Sequence, residues 1–393
     1  MNIVPPAAKP FLRPLFATND EAWPASDLPL DKAVLDALKE TKSAYTVLQA
    51  WAARALPLGP EARAELDRLR TREAVLDREL AAASSCLTEA GVEHLLLRGH
   101  ALGTRYPAGQ VRQYNDVDLL IREGDALPSA LTALRSLDYY TARPMVCRRD
   151  GAGLWAGVAL NRRVEGLGHP MYLDLTTLGP GLDRASAVPL PADAWAGLRE
   201  LPVGGAHVPV LDTTWQAVVF AVELVERGGE FIFRDLLDLL ALDRGRADWD
   251  AVVAALAGAP AAVVALAELH RIAQEAGIPV PTAPVPRPPS HGLGTAVSTR
   301  SRRAAVAALD HVIARLRGKN KARARRLVEL FPVRPWFALG LPVFVLPPAA
   351  DRQVSGGAVL RGVGLPDHRA LVYPLVPPGY SRAAFAPPAE EHI

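Results

Sequence analysis

Residues Leu95 to Ile121 read LLLRGHALGTRYPAGQVRQYNDVDLLI, and the end of this stretch decides the fold. Asp116-Val117-Asp118 runs straight into Leu119, Leu120 and Ile121, the profile of a buried strand entered from a polar end. Side chains alternate faces along a strand, so Asp116 and Asp118 project from one face, roughly 7 Å apart. Two carboxylates so placed repel unless something positive sits between them. A divalent ion with oxygen ligands meets that need, most often Mg²⁺ beside a phosphate. Upstream, Gly99-His100 follows a second apolar run, Glu93 to Leu97, where a backbone turn can meet that phosphate.

Outward from this stretch the chain reads as helices first. Apolar residues recur at helical spacing from Leu30 to about Ala55, after a proline-punctuated arm over residues 1–29. A second helix spans Gly59 to Ala90, its acids and arginines alternating along a solvated face, and Gly91 ends it. Beyond the Asp116-Asp118 strand, Asp125 is positioned as an N-cap, and Pro128 fits the first helical turn. Strands follow at Leu154–Leu160 and Met171–Thr176. The first half thus interleaves strands and helices, and the predicted class is α+β. From Thr213 to about Ala276 four helical segments suggest a separate helical domain. Residues 278–299 are a Pro-rich linker. A basic helical segment, Ser301 to Leu330, precedes a Pro- and Gly-containing tail with short β-prone pieces, FALGLPVFVL and HRALVYPLV.

Composition narrows the functional classes. The 393 residues are 50% apolar and 22% charged, with net charge +2, which gives no sign of a generally polyanion-coated surface. The two cysteines, Cys86 and Cys147, form neither a metal-ligand spacing nor a disulfide framework, as suits a reducing cytoplasm. No apolar run approaches the roughly 20 residues of a membrane span, and the N-terminus lacks the continuous apolar core of a signal peptide. One local patch stands out: ten Lys and Arg residues between Arg300 and Arg326. Two basic helices there could hold RNA phosphates, whereas Val306, Leu309, Val312, Ile313 and Leu316 suggest one core-facing side.

Arg98-Gly99-His100 followed by Asp116-Val117-Asp118 resembles the nucleotidyltransferase superfamily. The closer match is to its uncharacterised nucleotidyltransferase family. Leu97, Arg98, Gly99, Ala101, Leu102, Tyr106, Arg112, Asn115 and Asp116 to Leu120 follow that family's pattern, which continues through Glu123, Asp125, Ala130, Leu134, Leu137 and Tyr139. The resemblance implies a nucleotidyltransferase-like mixed sheet with flanking helices, plus a helical domain and a small C-terminal extension. The implied divisions are a helical arm over 1–84, a catalytic domain over 85–210, a helical domain over 211–277, the linker, and residues 300–393.

The resemblance also implies a third carboxylate, and Asp174 within MYLDLTT occupies that position. Thr176 and Thr177 stand where the family carries His and Trp, and Arg98 where it carries Lys. Asp116, Asp118 and Asp174 are then the expected metal ligands and catalytic carboxylates, with Mg²⁺ or Mn²⁺ and a nucleoside triphosphate as co-substrate. Arg98, Gly99 and His100 are expected at the phosphates, His100 through its backbone. Arg112 contacts phosphate or holds its loop. The implied reaction moves a nucleotidyl group onto a small-molecule or peptide hydroxyl, in the manner of natural-product pathways. The alternatives are a non-catalytic nucleotide- or partner-binding scaffold, and an RNA-directed or toxin-like transferase. Arg234, Asp235 and Asp238 read as an ion-paired helix surface.

Overall fold

Val117–Ile121 forms the expected strand, buried at every residue, and the other elements assemble around it. The computed structural model describes residues 13–16, 30–141, 145–165, 167, 169–181, 186–227, 231–278 and 280, and three short strands at 343–345, 358–359 and 371–373. In chain order the elements are α1 (Lys32–Glu40), α2 (Ala44–Ala53), α3 (Pro60–Glu89), β1 (His94–Leu96), α4 (His100–Gly103), β2 (Val117–Ile121) and α5 (Leu127–Arg135). Then come β3 (Tyr140–Thr141), β4 (Met145–Asp150), β5 (Gly153–Arg162), β6 (Met171–Thr177), α6 (Ala192–Ala196), β7 (Arg199–Val203) and β8 (Ala206–Val210). Helices α7 (Thr213–Glu226), α8 (Phe233–Arg244), α9 (Trp249–Ala255) and α10 (Pro260–Glu275) follow. Strands β9 (Val343–Val345), β10 (Ala358–Val359) and β11 (Leu371–Tyr373) come last.

The strands form one mixed sheet in the order β10-β11-β9-β4-β5-β6-β2-β1-β8-β7, with β3 on β5. The α+β expectation holds. β1 runs antiparallel to β2, while β6 lies parallel to β2 on its other side. Alternation gives the sheet two different faces. Val117, Leu119 and Ile121 join Leu173 and Leu175 in a core with Val75, Leu76 and Leu80 of α3 and Leu127 and Leu134 of α5. On the opposite face Leu120 packs with Leu95, Trp195 of α6 and Val219 of α7. Asp118 and Asp174 belong to that second face, next to α7.

The 30-residue α3 extends for about 45 Å and joins two cores. Its Val75-to-Leu87 part lies under the sheet. Its Ala62, Leu66 and Leu69 pack with α1, α2 and α7 to α10 in one continuous apolar cluster. The helices before and after the sheet therefore share a core. Phe16, from the short 3₁₀ turn Arg13–Phe16, enters it with its ring 5.2 Å from that of Phe233.

Several local details differ from the sequence reading. The Leu30–Ala55 run is two helices, because the chain turns sharply at Thr41-Lys42 and Lys42 takes φ +53°. Asp125 is not the N-cap of α5. It sits inside a 3₁₀ turn, Gly124–Ala126, and Ala126 holds the cap position. The hairpin β7–β8 was not foreseen, although Gly204-Gly205, both at positive φ, marks its turn. Most of the 278–299 stretch and all of the basic segment 301–330 lie outside the described residues. β9 and β11 fall inside the two β-prone tail pieces.

Candidate active site

The site sits where β1 ends, beside the start of β2. The chain leaves β1 through Leu97 and Arg98 and turns at Gly99, whose φ of +66° favours a residue without Cβ. A single helical turn, α4, follows. The chain returns through residues 111–116, and this return segment is gripped from three sides. The Tyr45 N–H of α2 donates to Gln113 Oε1 (3.1 Å), and Thr46 Oγ1 donates to the Val111 carbonyl (2.6 Å). Arg72 of α3 donates to the Asn115 carbonyl (3.2 Å), and Arg234 of α8 donates to the Gln113 carbonyl (3.2 Å). Asp116 therefore enters β2 from a fixed position.

Asp118 and Asp174 are direct register partners across the parallel β2–β6 pair, on one face. Asp116 precedes β2 and is exposed. Arg98 Nη2 donates to Asp118 Oδ1 at 2.6 Å, and Arg98 Nη1 lies 3.5 Å from Glu223 Oε2 of α7. Burial pushes the Asp118 carboxyl up to about 7. Arg98 opposes the rise, and the neighbouring charges of Asp116 and Asp174 add to it.

His100 lies off the carboxylate face. Its Nδ1 is 3.1 Å from Asp77 Oδ1 and 3.1 Å from the Tyr114 hydroxyl, which donates to Asp77 at 2.6 Å. Its side chain braces α4 against α3. Arg112 is only 3% exposed and makes two 2.8 Å hydrogen bonds to Asp238, 1% exposed, which also accepts from the Tyr106 hydroxyl (2.6 Å). Of its two sequence readings, holding the loop is the one this geometry matches.

The expected ion-paired helix surface at Arg234, Asp235 and Asp238 is instead buried. The residue that sequence reasoning missed is Glu223. It lies against Arg98 (3.5 Å), Arg227 (3.7 Å) and Arg234 (3.8 Å). Burial alone would raise its pKa; these arginines and Arg112 overcome that and hold it at about 2. Asp235 closes the network, accepting from Arg227 Nη2 at 2.7 Å. A Glu set between Val222 and Leu224 in a mostly apolar helix, TWQAVVFAVELVE, was the available signal.

Among the described residues, no three His, Cys, Asp or Glu side chains form a ready cation cage. The donor chemistry nevertheless fits a hard divalent ion. The candidate ligands are carboxylates only, and the charges of Asp116 and Asp174 hinder ionisation of Asp118, which a cation would relieve.

The chain belongs to the uncharacterised nucleotidyltransferase family, which it matches over residues 43–275, more than half its length. It is thus of the nucleotidyltransferase class of enzymes. No curated protein matches it. Solved structures similar to it include the antibiotic-resistance factor ANT(2'')-Ia in solution, at 16% identity and TM-score 0.31, covering 51% of this chain and 97% of that one. The crystal structure of ANT(2'')-Ia with adenylyl-2''-tobramycin is 14% identical at TM-score 0.32, covering 47% and 97%. An antigenic nucleotidyltransferase-like protein from Paracoccidioides brasiliensis is 14% identical at TM-score 0.29, covering 54% and 91%.

Proposed function

We propose that the protein transfers a nucleotidyl group from a nucleoside triphosphate, with Mg²⁺ or Mn²⁺, to a hydroxyl of a small molecule or peptide. The observation that carries this is the in-register pair Asp118–Asp174, with Asp116 at the head of the same strand and the Arg98-Gly99 turn beside it. Asp116, Asp118 and Asp174 would hold the metal. When bound, it would neutralise phosphate charge and lower the barrier to attack at the α-phosphorus.

The residues divide the remaining work. The Gly99 turn lets phosphate oxygens approach the backbone, and Arg98 supplies a cation beside them. Asp174, at the far side of Asp118 from β1, faces the acceptor and takes its proton. The acceptor oxygen bonds to the α-phosphorus, the bond to the β-phosphate oxygen breaks, and pyrophosphate leaves. A transfer assay with α- and γ-labelled nucleotide tests this. Label moving from the α position supports the reading, label from the γ position replaces it with phosphoryl transfer, and neither across hydroxyl acceptors overturns it.

One observation favours a second reading, a nucleotide-binding scaffold without turnover. Arg98 already neutralises Asp118, the position where a metal would act. Thr177, in place of the family's Trp, is committed to the sheet: it donates to the Leu154 carbonyl (2.7 Å) and accepts from the Ala156 N–H (2.8 Å). Titration calorimetry with Mg²⁺ and nucleotide separates the two, because a scaffold binds without consuming nucleotide. As for location, no described helix is long and apolar enough to cross a membrane. A cytoplasmic site of action is part of the proposal.

A further inference from the structure

The carboxylate face of the sheet does not stop at Asp174. Continuing the β2–β6 register one residue back from Val117 and Leu173 sets Asp116 level with Tyr172. Tyr172 pairs with Asn161 of β5, and Asn161 pairs with Tyr140 of β3. Cross-strand partners point to one side of a sheet, so Asp116, Tyr172, Asn161 and Tyr140 form one row on the face that carries Asp118 and Asp174. Their chain neighbours fix the side: Tyr139 and Arg162 both donate to Glu79 of α3, beneath the opposite face. Adjacent strands lie about 4.8 Å apart, so the row reaches roughly 14 Å outward from Asp116.

Three features of this row point to a ligand. Tyr172 is the one large hydrophobic side chain left exposed among the described residues, at 43%. Its ring is backed by His169, with centroids 6.3 Å apart and planes 26° from parallel, and His169 Nδ1 is itself 2.9 Å from the Pro170 carbonyl. Asn161 Oδ1 is buried with no hydrogen-bond partner, and so is Thr176 Oγ1, two residues past Asp174 on the same face. A polar oxygen buried without a partner is uncommon in a folded chain, and a ligand donor satisfies it. Beside Asp174 the sheet surface is low, because its partner across β5 is Ala159.

We infer that this row is the acceptor site, and that it takes a neutral, polyhydroxylated ring of the glycoside class. This rests on the nucleotidyl-transfer reading, in which Asp174 takes the acceptor's proton, and it names the class of acceptor. Arg98 and the Gly99 turn hold the nucleotide side, next to β1 and β2, which leaves β6, β5 and β3 for the acceptor. Tyr172 offers a ring face on which the C–H face of a sugar packs. One sugar hydroxyl reaches Asp174 and a second donates to Asn161 Oδ1. Those two residues are diagonal neighbours, about 7 to 8 Å apart, so an acceptor with a single hydroxyl satisfies only one of them. Tyr172, Asn161, Tyr140 and Ala159 carry no charge, which suits a neutral occupant over a phosphorylated or ionic one.

The probes are neutral glycosides (methyl glucoside, methyl galactoside, maltose, sucrose and trehalose), with 4-methylphenol and N-acetylserine amide as single-hydroxyl compounds. Each is titrated into the full chain with Mg²⁺ and α,β-methylene-ATP, whose α–β link cannot be cleaved, and read by saturation-transfer NMR. At least one glycoside is expected to bind, more tightly than either single-hydroxyl compound. Tyr172→Ala should weaken that binding at least tenfold with an unchanged Tm, and Asn161→Ala at least fivefold. Tyr172→Phe, which keeps the ring, should stay within threefold of wild type. Calorimetric binding of the nucleotide analogue should stay within twofold in every variant. The sugar site is overturned if no glycoside binds, if the phenol or the serine amide binds better, or if Tyr172→Ala binds the glycoside within twofold of wild type. An equal loss of nucleotide binding in Tyr172→Ala also overturns it, because the effect is then not confined to the acceptor. If glycoside binding depends on Tyr172 but no α-label reaches any glycoside, the sugar site stands and only the transfer reading falls. If α-label reaches an acceptor equally well in Tyr172→Ala and wild type, the transfer reading stands and the sugar site falls.

Discussion

Asp118 and Asp174 face each other across two parallel strands whose sequence positions are 56 apart, with one arginine, Arg98, as the counter-charge to Asp118. That pairing makes the carboxylate site a tertiary object, and it sets how the site responds to mutation and pH.

Asp118→Asn and Asp174→Asn should each reduce nucleotidyl transfer by about 10³-fold or more while the far-ultraviolet circular dichroism stays that of the parent, a loss of about 4 kcal/mol of transition-state stabilisation. The first should also abolish the metal dependence of nucleotide binding, measured by calorimetry with and without Mg²⁺. Full activity in either variant would remove that carboxylate from the reaction.

Asp118 and Glu223, shifted in opposite directions, bear on the pH profile of stability. Asp118 is raised to about 7, so between the ordinary Asp value near 4 and 7 the folded state binds the extra proton, and stability falls as pH rises through that window. Glu223 is depressed to about 2, so its contribution is present above about 4.5 and is lost as pH falls toward 2. Without metal, Asp118 should therefore lower Tm as pH rises from 4 to 7, while buried His94 and His270, whose pKa values burial lowers, act in the opposite sense. Asp118→Asn should flatten the decline on the alkaline side, and Mg²⁺ should raise Tm more at pH 8 than at pH 5. A thermal-shift series across pH checks all three.

Arg112 and Asp238 form a buried pair, and removing one partner strands the other. Asp238→Asn or Arg112→Met alone should cost about 3 to 5 kcal/mol in urea unfolding, whereas Arg112→Met with Asp238→Leu should recover much of that loss. A single variant as stable as the parent would show that the pair is solvated in solution.

Gly99→Ala places a Cβ on a residue at φ +66° and ψ −111°, outside the left-handed helical well, a strain of about 1 to 3 kcal/mol. The nearest atom to that Cβ is Tyr114 Cβ at 3.6 Å, so the cost is conformational and not steric. Stability should fall by that amount, and transfer activity should fall further because the phosphate turn is displaced.

Cys147 should be inert in the folded chain. Burial pushes its thiol up to about 12, so almost no thiolate exists at pH 8. A native thiol titration at that pH should detect it only after denaturant is added.

Much of the fold was legible along the chain, because local pattern carries it. The Asp116–Ile121 strand, α3 with its glycine stop, β5, β6 and the four helices after Thr213 all follow apolar periodicity and caps. The break at Lys42 was not legible, since a lysine at positive φ has no propensity signal; the Thr41 and Ser43 hydrogen bonds impose it. The 3₁₀ entry to α5 was equally hidden. Gly124 lies so close to the Leu154 carbonyl that its placement depends on a strand 30 residues away.

By itself, the sequence determined which residue types could do chemistry here: two aspartates one residue apart on a strand, a glycine turn before them, and a third aspartate on a later strand. Alternation of side chains is a property of the strand alone, so Asp116 and Asp118 could be assigned to one face without a fold. Only the tertiary structure decided their company. Register across β2 and β6 put Asp174 beside Asp118, and docking of α7 and α8 turned Glu223, Arg227 and Arg234 inward. A helix surface and a helix core look alike in one dimension when arginine and acid alternate, and burial is settled by what packs against them.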